Sequence, residues 1–158
     1  METFYTSERS EWRRYLAEHF QTSQVIWFVF PMQGSGEKSL SYNDAVEEAL
    51  CFGWIDSTHL VIDGVRMQRF TPRRKRSMWT ELNKERVRRL EKLGLMTDAG
   101  RAVLPPMGPR SFKVDPDIEA AMKAARCWSK FRSFPSLYQR IRAYNVVFYQ
   151  KRNPTVYR

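Results

Sequence analysis

Hydrophobic positions in the first 30 residues change from a helical to a strand periodicity. Four large apolar residues recur at helical spacing behind Ser7, which predicts an amphipathic helix over about 7–20 with Ser7 as its N-cap. These residues are Trp12, Tyr15, Leu16 and Phe20. Val25–Phe30 is β-branched and aromatic without alternation, which predicts a strand covered on both faces.

A second helix is predicted over residues 42–52. Ser41 followed three residues later by Asp44 resembles a capping box, with Asp in place of the usual Glu. The apolar positions that follow also have helical spacing, and they are Tyr42, Ala45, Val46, Ala49 and Leu50. Gly53 stands where a left-handed helix terminus favours glycine, so the helix is expected to end there.

A β-hairpin is predicted next, because Asp63-Gly64 separates two apolar runs, Trp54–Ile62 and Val65–Phe70. Pro72 is expected to stop the second strand. We expect the hairpin and Val25–Phe30 to share one sheet that packs against helix 42–52.

The second half of the chain reads as helices and one linker. Ser77 is predicted to cap a helix over about 78–93 that ends at Gly94. The apolar stripe of this helix is Trp79, Leu82, Val87, Leu90 and Leu93. Thr97-Asp98 opens a short turn or helix, and Asp115-Pro116 opens another that runs to about Ala125. A final helix follows Pro135, with Leu137, Tyr138, Ile141, Tyr144 and Phe148 predicted to face inward.

This order of elements predicts an α+β fold with a small, mainly antiparallel sheet, packed by helices and followed by a helical C-terminal part. Residues 1–103 form the predicted α+β domain. Residues 104–114, rich in Pro and Gly, are the predicted linker, and 115–158 the helical C-terminal segment.

The composition is that of a globular protein, with 42% hydrophobic and 14% aromatic residues. No apolar run approaches the roughly 20 residues that span a bilayer. The N-terminus lacks a basic region followed by an apolar one, so we expect no secretory signal. Cys51 and Cys127 lie in apolar helical contexts and are expected to be reduced, which favours a cytoplasmic location.

Charge is distributed unevenly along the chain. Residues 1–65 hold four Lys/Arg and ten Asp/Glu, a net charge of −6. Residues 66–92 hold eleven and three, and residues 93–158 hold twelve and four, so each has a net charge of +8. The split indicates an anionic partner for the later part of the chain, although arginine-rich helix faces alone would also account for it.

The densest group of cations lies between a strand and a helix, in the segment QRFTPRRKRSMW. Its cations are Arg69, Arg73, Arg74, Lys75 and Arg76, with Arg66 just before them. Guanidinium groups bind phosphate and carboxylate in a bidentate way, and a helix starting at Ser77 would add free N–H groups. Phe70 and Trp79 flank the group and could stack on bases. Alternatively, the arginines pair with the acidic helix residues Asp44, Glu47 and Glu48.

Other polar groups give weaker signals. Asp56 is expected to form a cross-strand ion pair with Arg66 or Arg69. A cavity holding Trp54, Asp56, Arg69 and Trp79 together would instead indicate an enzyme acting on an anionic metabolite.

Hydrolase and metal chemistry are not indicated. Asp56, Ser57 and His59 include the residue types of a hydrolase triad, but strand alternation would place the acid on the opposite face. The two histidines and two cysteines have no metal-ligand spacing. Residues 33–39 lack the spacing of a phosphate-binding P-loop, so no cofactor is expected.

The block GWIDSTHLVIDGVRMQRFTPRRKRSMW resembles a signature block of the YdeI/OmpD-associated proteins. Further blocks resemble the same family in the same order, and they are SERSEWRRYLAEHF, VIWFVF, SLSYNDAVEEALCFGWID, MWTELNKERVRRLEKLGLMTDAG and SFPSLYQRIRAYN. The core also resembles the wider YdhG/YjbR/CyaY-like group. The first resemblance implies a bacterial protein of bacteriocin protection or antimicrobial-peptide resistance. Members of that family are expected to continue through another basic helix where this chain ends at Arg158.

The expected function is therefore non-catalytic: binding of an anionic ligand or acidic protein through the cations of Arg66–Arg76. The alternatives are non-specific nucleic-acid binding, aided by basic helix faces, and a small enzyme on an anionic metabolite. The basic faces carry Lys84, Arg86, Arg88, Arg89 and Lys92 on one helix and Arg140, Arg142, Lys151 and Arg152 on another.

Overall fold

The computed structural model describes residues 1–32, 34–108 and 111–153. It divides into two compact units. The first unit comprises Met1–Ser77 and Val87–Leu104, and the second comprises Met78–Arg86 and Pro105–Arg158. In the predicted linker 104–114, the described residues form no helix or strand. The described residues do not include Pro109 and Arg110 of the predicted linker, nor residues 154–158 at the end of the predicted C-terminal segment.

The first unit contains a four-stranded mixed sheet. Its strands are β1 (Thr3–Phe4), β2 (Ile26–Phe30), β3 (Trp54–Ile62) and β4 (Val65–Pro72), in the order β1-β2-β4-β3. β4 is antiparallel to both of its neighbours, whereas the short β1, which the sequence did not indicate, is parallel to β2. With the helices described below, the sheet confirms the predicted α+β class.

β2 alternates between a fully buried and a half-buried face. Ile26 and Phe28 are fully buried, whereas Trp27 and Val29 are half-buried. The predicted strand is confirmed, but the predicted cover is complete on only one of its two faces. The buried face is the one that meets the helices, since the Trp12 ring lies 5.1 Å from Phe28.

Helix α1 (Arg9–His19) starts later than predicted. Its N-cap is Glu8, which makes no side-chain capping hydrogen bond, so the prediction of Ser7 as N-cap is wrong. Ser7 Oγ instead donates to the carboxylate of Glu8. The predicted apolar face is confirmed at Trp12 and Leu16, which are completely buried. Burying such side chains stabilises the unit by about 1.5–3 kcal/mol each.

Helix α2 (Tyr42–Cys51) and the hairpin follow the prediction closely. Ser41 Oγ accepts a hydrogen bond from the Asp44 N–H at 3.0 Å. The hairpin turn has left-handed backbone at both central residues, with φ of 50° at Asp63 and 79° at Gly64. Both values suit the two-residue turn that joins twisted antiparallel strands.

Helix α3 (Glu81–Lys92) begins three residues later than predicted. Thr80, rather than Ser77, accepts the capping hydrogen bond, from the Asn83 N–H at 3.1 Å. Residues 77–80 form no helix. The apolar stripe predicted for this helix therefore included Trp79, which lies in the irregular segment before the helix. Leu82 and Leu93, predicted to be inward, are exposed.

The end of α2 is joined to the start of α4 (Asp98–Ala102) by very close packing. The Cys51 carbonyl accepts hydrogen bonds from both the N–H and the hydroxyl of Thr97, at 3.1 Å and 2.6 Å. A Cβ placed on Gly100 would lie only 2.3 Å from the same carbonyl oxygen. Glycine at position 100 is therefore required by the packing of the two helices.

The second unit is helical, with α5 (Pro116–Ala124), α6 (Trp128–Ser133) and α7 (Ser136–Arg152). Asp115 caps α5 as predicted, whereas α6 was not predicted. On α7 the inward position at the first turns is Gln139 rather than Tyr138, which is exposed.

Cys127 is also exposed, so its predicted apolar setting is wrong, although both cysteines are free thiols. Among the described residues, no helix is both long and apolar enough to cross a bilayer.

Candidate functional site

Three consecutive cations stand on an exposed turn between β4 and α3. The turn is closed by a hydrogen bond from the Ser77 N–H to the Arg74 carbonyl oxygen at 3.1 Å. Arg74, Lys75 and Arg76 are all exposed, and we call these three residues the arginine turn. Within the described chain, no carboxylate lies within ion-pair distance of any of the three.

Arg76 holds an unfavourable backbone conformation, with φ at 62°. It occupies the third position of a turn, where a positive φ normally selects Gly or Asn. An L residue in this region costs about 1–2 kcal/mol. A strained residue in an exposed turn is the kind of outlier that motivates a functional hypothesis.

Arg73 is buried next to the arginine turn, so it supports the turn without being part of its exposed surface. Its side chain is buried, and its Nη1 donates to Ser77 Oγ at 3.2 Å. Its backbone N–H donates to the Gly53 carbonyl oxygen at 2.8 Å. Because α3 starts at Glu81, the predicted helix N–H groups of residues 77–79 are not at the turn.

The two strand arginines lie on opposite faces of the sheet. Arg66 pairs with Phe30 of β2 and Arg69 with Trp27, and residues three apart on a regular strand point to opposite sides. The Arg66 guanidinium stacks over the rings of Phe30 and Tyr42, at 5.5 Å and 5.3 Å from their centroids. The structure therefore does not bring Arg66 and Arg69 onto one surface.

The predicted cross-strand ion pair of Asp56 is wrong. The register places Asp56 opposite Phe70, and its carboxylate accepts a short hydrogen bond of 2.5 Å from the Tyr42 hydroxyl. Since Arg66 covers the same Tyr42 ring, the structure gathers a tyrosine, a carboxylate and a guanidinium at this edge of the sheet. The sequence did not point to Tyr42, which was read only as an apolar helix position.

The two tryptophans of the predicted site are both buried. Trp54 is 1% exposed, and its Nε1 donates to the Phe20 carbonyl oxygen in the first unit. Trp79 is 6% exposed and belongs to the second unit. Trp54 is therefore a core residue of the first unit.

The carboxylates of α2 are paired by arginines from other parts of the first unit. Glu48 is 2% exposed and accepts from Arg9 Nε at 2.6 Å and from Arg13 Nη1 at 2.7 Å. Glu47, also buried, accepts from Arg89, and Arg9 additionally binds Asp44 and Glu47. The interpretation that the turn pairs with this acidic helix thus loses its main support.

This network fixes the charge of its arginines. Burial opposes the charged form of Arg9, but the hydrogen bond and charge of Glu48, with the charges of Asp44 and Glu47, outweigh it and raise the pKa of Arg9. For Arg13, burial is likewise outweighed by Glu48, so its pKa is also raised. The sequence signal was available, because Arg9 and Arg13 are four residues apart on one helix, as are Asp44 and Glu48 on the other.

The Asp56–His59 stretch contains a β-bulge, with Asp56 opposite Phe70 but His59 opposite Gln68. The buried Gln68 donates its amide N–H to the carbonyls of Ser57 and Thr58 at the bulge, at 3.3 Å and 3.1 Å. Because Phe70 and Gln68 are two residues apart on β4, their partners Asp56 and His59 share one face of the sheet. The predicted separation of Asp56 from His59 by strand alternation is therefore wrong. Among the described residues, no three His, Cys, Asp or Glu side chains are grouped to hold a metal ion.

Comparison with known proteins gives one match. No curated protein and no solved structure matches the chain significantly. A sequence family described as a domain of unknown function, DUF8412, matches residues 4–103, which is more than half of the chain. The match covers strands β2 to β4, Phe4 of β1, helices α1 to α4 and the arginine turn. The chain therefore belongs to the DUF8412 family.

Proposed function

We propose that this protein is a non-catalytic binding protein that holds an anionic partner against the arginine turn. The observation that carries the proposal is the uncompensated charge of the exposed arginine turn. The neighbouring Arg73 is buried and supports the turn. Exposed cations without a local carboxylate steer anions toward them and are available for bidentate contacts.

The strain at Arg76 supports the same proposal. A turn selected for stability alone would carry glycine at a φ of 62°, since glycine has no penalty there. Arg76 adds a guanidinium group to the turn as its third positive charge, at the expense of folding stability. The proposed gain is affinity for an anion.

Helix α2 is a poor binding surface for a cationic peptide under this proposal, because its carboxylates are already paired with Arg9, Arg13 and Arg89. We therefore propose that any role in tolerance to bacteriocins or antimicrobial peptides, as in the YdeI/OmpD-associated type, is indirect and goes through an anionic partner. We also propose the cytoplasm as the compartment of the protein.

Nucleic acid is the second candidate partner, and the exposed cations support it without favouring any sequence. For an enzyme on an anionic metabolite, the expected cavity needed Trp54 and Arg69 at one site. Trp54 is instead a core residue, so no observation favours an enzyme built on these residues.

The test is a pair of triple variants titrated with labelled anionic probes. The first variant replaces the arginine turn with glutamine, and the control replaces three exposed cations elsewhere in the first unit, Arg14, Lys38 and Lys92. Both lose the same charge. The probes are an oligo-dT of about 12 nucleotides and an oligo-glutamate peptide, followed by fluorescence anisotropy.

The turn variant is expected to bind at least one probe about tenfold or more weakly, since three exposed contacts of about 0.5–1 kcal/mol each add to more than 1.4 kcal/mol. Loss with oligo-dT alone would assign nucleic acid as the partner, and loss with oligo-glutamate would assign an acidic protein. Equal affinities of the turn variant and the control for both probes, with both variants folded, would overturn the proposal.

A further inference from the structure

A cavity of about 700 Å³ lies within the second unit. Its volume is in the range of small-molecule sites, roughly 300–1,000 Å³. The lining that matters here combines flat aromatic rings, cations and the start of a long helix. These residues are Phe112, Lys113, Trp128, Arg132, Ser136 and Arg140.

The cavity wall carries more positive than negative charge. Glu119, its acidic lining residue, is paired with Lys123 at 2.7 Å. In the part of the chain that the structure describes, neither Lys113 nor Arg132 has a carboxylate within ion-pair distance. Two cations thus remain for a ligand.

Arg140 is compensated differently. It forms ion pairs with Glu81 at 3.4 Å and Glu85 at 2.7 Å, and its Nη1 donates to Ser136 Oγ at 3.2 Å. Its role is therefore to hold the wall of the cavity, and the free charge comes from Lys113 and Arg132.

The guanidinium of Arg132, an exposed residue, is oriented by Gln139 and by the Trp128 ring, which lies 5.8 Å away. Its Nη1 donates to Gln139 Oε1 at 3.2 Å, and Gln139 Nε2 donates back to the Arg132 carbonyl at 3.1 Å and to the Phe134 carbonyl at 2.6 Å. Gln139 is 8% exposed, so this support is buried. A cation that is already positioned loses little conformational entropy on binding.

Helix α7 begins at the cavity and has no side-chain cap. Its N-cap is Pro135, and Ser136, its first residue, lines the cavity. The first N–H groups of a helix have no partner within the helix, and a 17-residue helix has a substantial positive end. The lining also includes Trp128, which is half-buried. Its ring is already contacted by Lys123, Arg132 and Phe131, each about 5.8 Å from the ring centroid.

We propose that this cavity binds a small organic anion in which a phosphate or carboxylate group is attached to a flat ring. The anionic group lies between Lys113, Arg132 and the start of α7, and the ring lies against Phe112, beside Trp128. This site belongs to the second unit, whereas the arginine turn belongs to the first.

The test is isothermal titration of the whole chain with two ring-bearing anions, AMP and indole-3-acetate. Their uncharged counterparts, adenosine and indole, are titrated in parallel. At least one anion is expected to bind, and its uncharged counterpart to bind about tenfold or more weakly, because the charged contacts are missing. A phosphate or a carboxylate preference follows from which anion binds.

Two variants locate the binding. Ser136→Asp places a negative charge at the start of α7, which favours the helix and repels the ligand, so it is expected to keep the fold and lower affinity by about tenfold or more. Lys113→Gln is expected to lower affinity by about threefold or more, whereas Lys130→Gln, an equal charge change outside the lining, leaves it unchanged. The proposal is overturned if neither anion binds at millimolar concentration, or if Ser136→Asp binds as tightly as the wild type.

Discussion

Replacing Arg76 with glycine tests whether the arginine turn is maintained for binding at the expense of stability. Arg76 has a φ of 62°, where an L residue costs about 1–2 kcal/mol. Glycine removes this cost but loses about 0.5–1 kcal/mol through the greater freedom of the unfolded chain. Arg76→Gly is therefore expected to raise the free energy of unfolding, by up to about 1.5 kcal/mol.

Arg74→Gly is the matched control, since Arg74 is exposed in the same turn and is not among the described residues with positive φ. Only the entropic term then remains, so Arg74→Gly is expected to lower the free energy of unfolding by about 0.5–1 kcal/mol. Urea denaturation followed by circular dichroism measures both. Shifts of the same sign for the two variants would refute the reasoning on strain.

Binding is expected to separate from stability in these variants. Each removes one exposed cation, so each should weaken oligo-dT binding by about two- to fivefold. Arg76→Gly would then be more stable than the wild type and a weaker binder, whereas Arg74→Gly would be worse in both respects. A stabilised Arg76→Gly variant with undiminished binding would show that the strain has no relation to the proposed function.

Other predictions concern packing, charge and thiol chemistry. Gly100→Ala should lower the free energy of unfolding by about 1–3 kcal/mol, because the added Cβ would lie 2.3 Å from the Cys51 carbonyl oxygen. Gly108→Ala is the control and should be nearly neutral, since the space around Gly108 is open. Equal effects of the two substitutions in a melting experiment would refute this prediction. Glu48→Ala should cost about 2–4 kcal/mol, since it leaves two partly exposed arginines without their main partner, and a loss below 1 kcal/mol in urea denaturation would contradict the account of the network. Burial raises the pKa of the Cys51 thiol to about 11, so at pH 8 iodoacetamide should label the exposed Cys127 and spare Cys51, as peptide mass spectrometry would show; equal labelling would contradict it. The folded Cys51 thiol keeps its proton above the ordinary pKa of 9.0, so its contribution to folding stability is present below pH 9 and is lost as the pH rises toward 11. Cys51→Ala should therefore reduce the loss of stability at alkaline pH in denaturation curves. An unchanged loss of stability would count against the raised pKa of Cys51.

The first half of the fold could be predicted because local signals agreed there. Ser41 caps α2, Gly53 ends it, and Asp63-Gly64 turns the hairpin, each where backbone chemistry demands that residue type. The start of α3 was mispredicted because Ser77 and Trp79 continue a helical pattern through an irregular segment. β1 is two residues long, too short for any periodicity to appear.

The candidate site was harder to predict, since it depends on which way side chains point. Sequence proximity grouped Arg66 with Arg69, whereas strand alternation places them on opposite faces. Arg73 belongs to the same run of cations as Arg74 but is buried by its bonds to Gly53 and Ser77. Long-range pairing of this kind has no signature within a short window of sequence.

Salt dependence of binding tests the central claim most directly, because it counts the cations that contact an anion. Oligo-dT affinity is measured between about 50 and 200 mM salt for the wild type and for the variant with glutamine at Arg74, Lys75 and Arg76. Each contact to a single strand adds about 0.7 to the slope of log K against log salt concentration, so the variant slope should be shallower by about 2. Identical slopes for the two proteins would contradict binding of nucleic acid by the arginine turn, and identical slopes with the oligo-glutamate peptide as well would contradict the proposal that the turn binds anions.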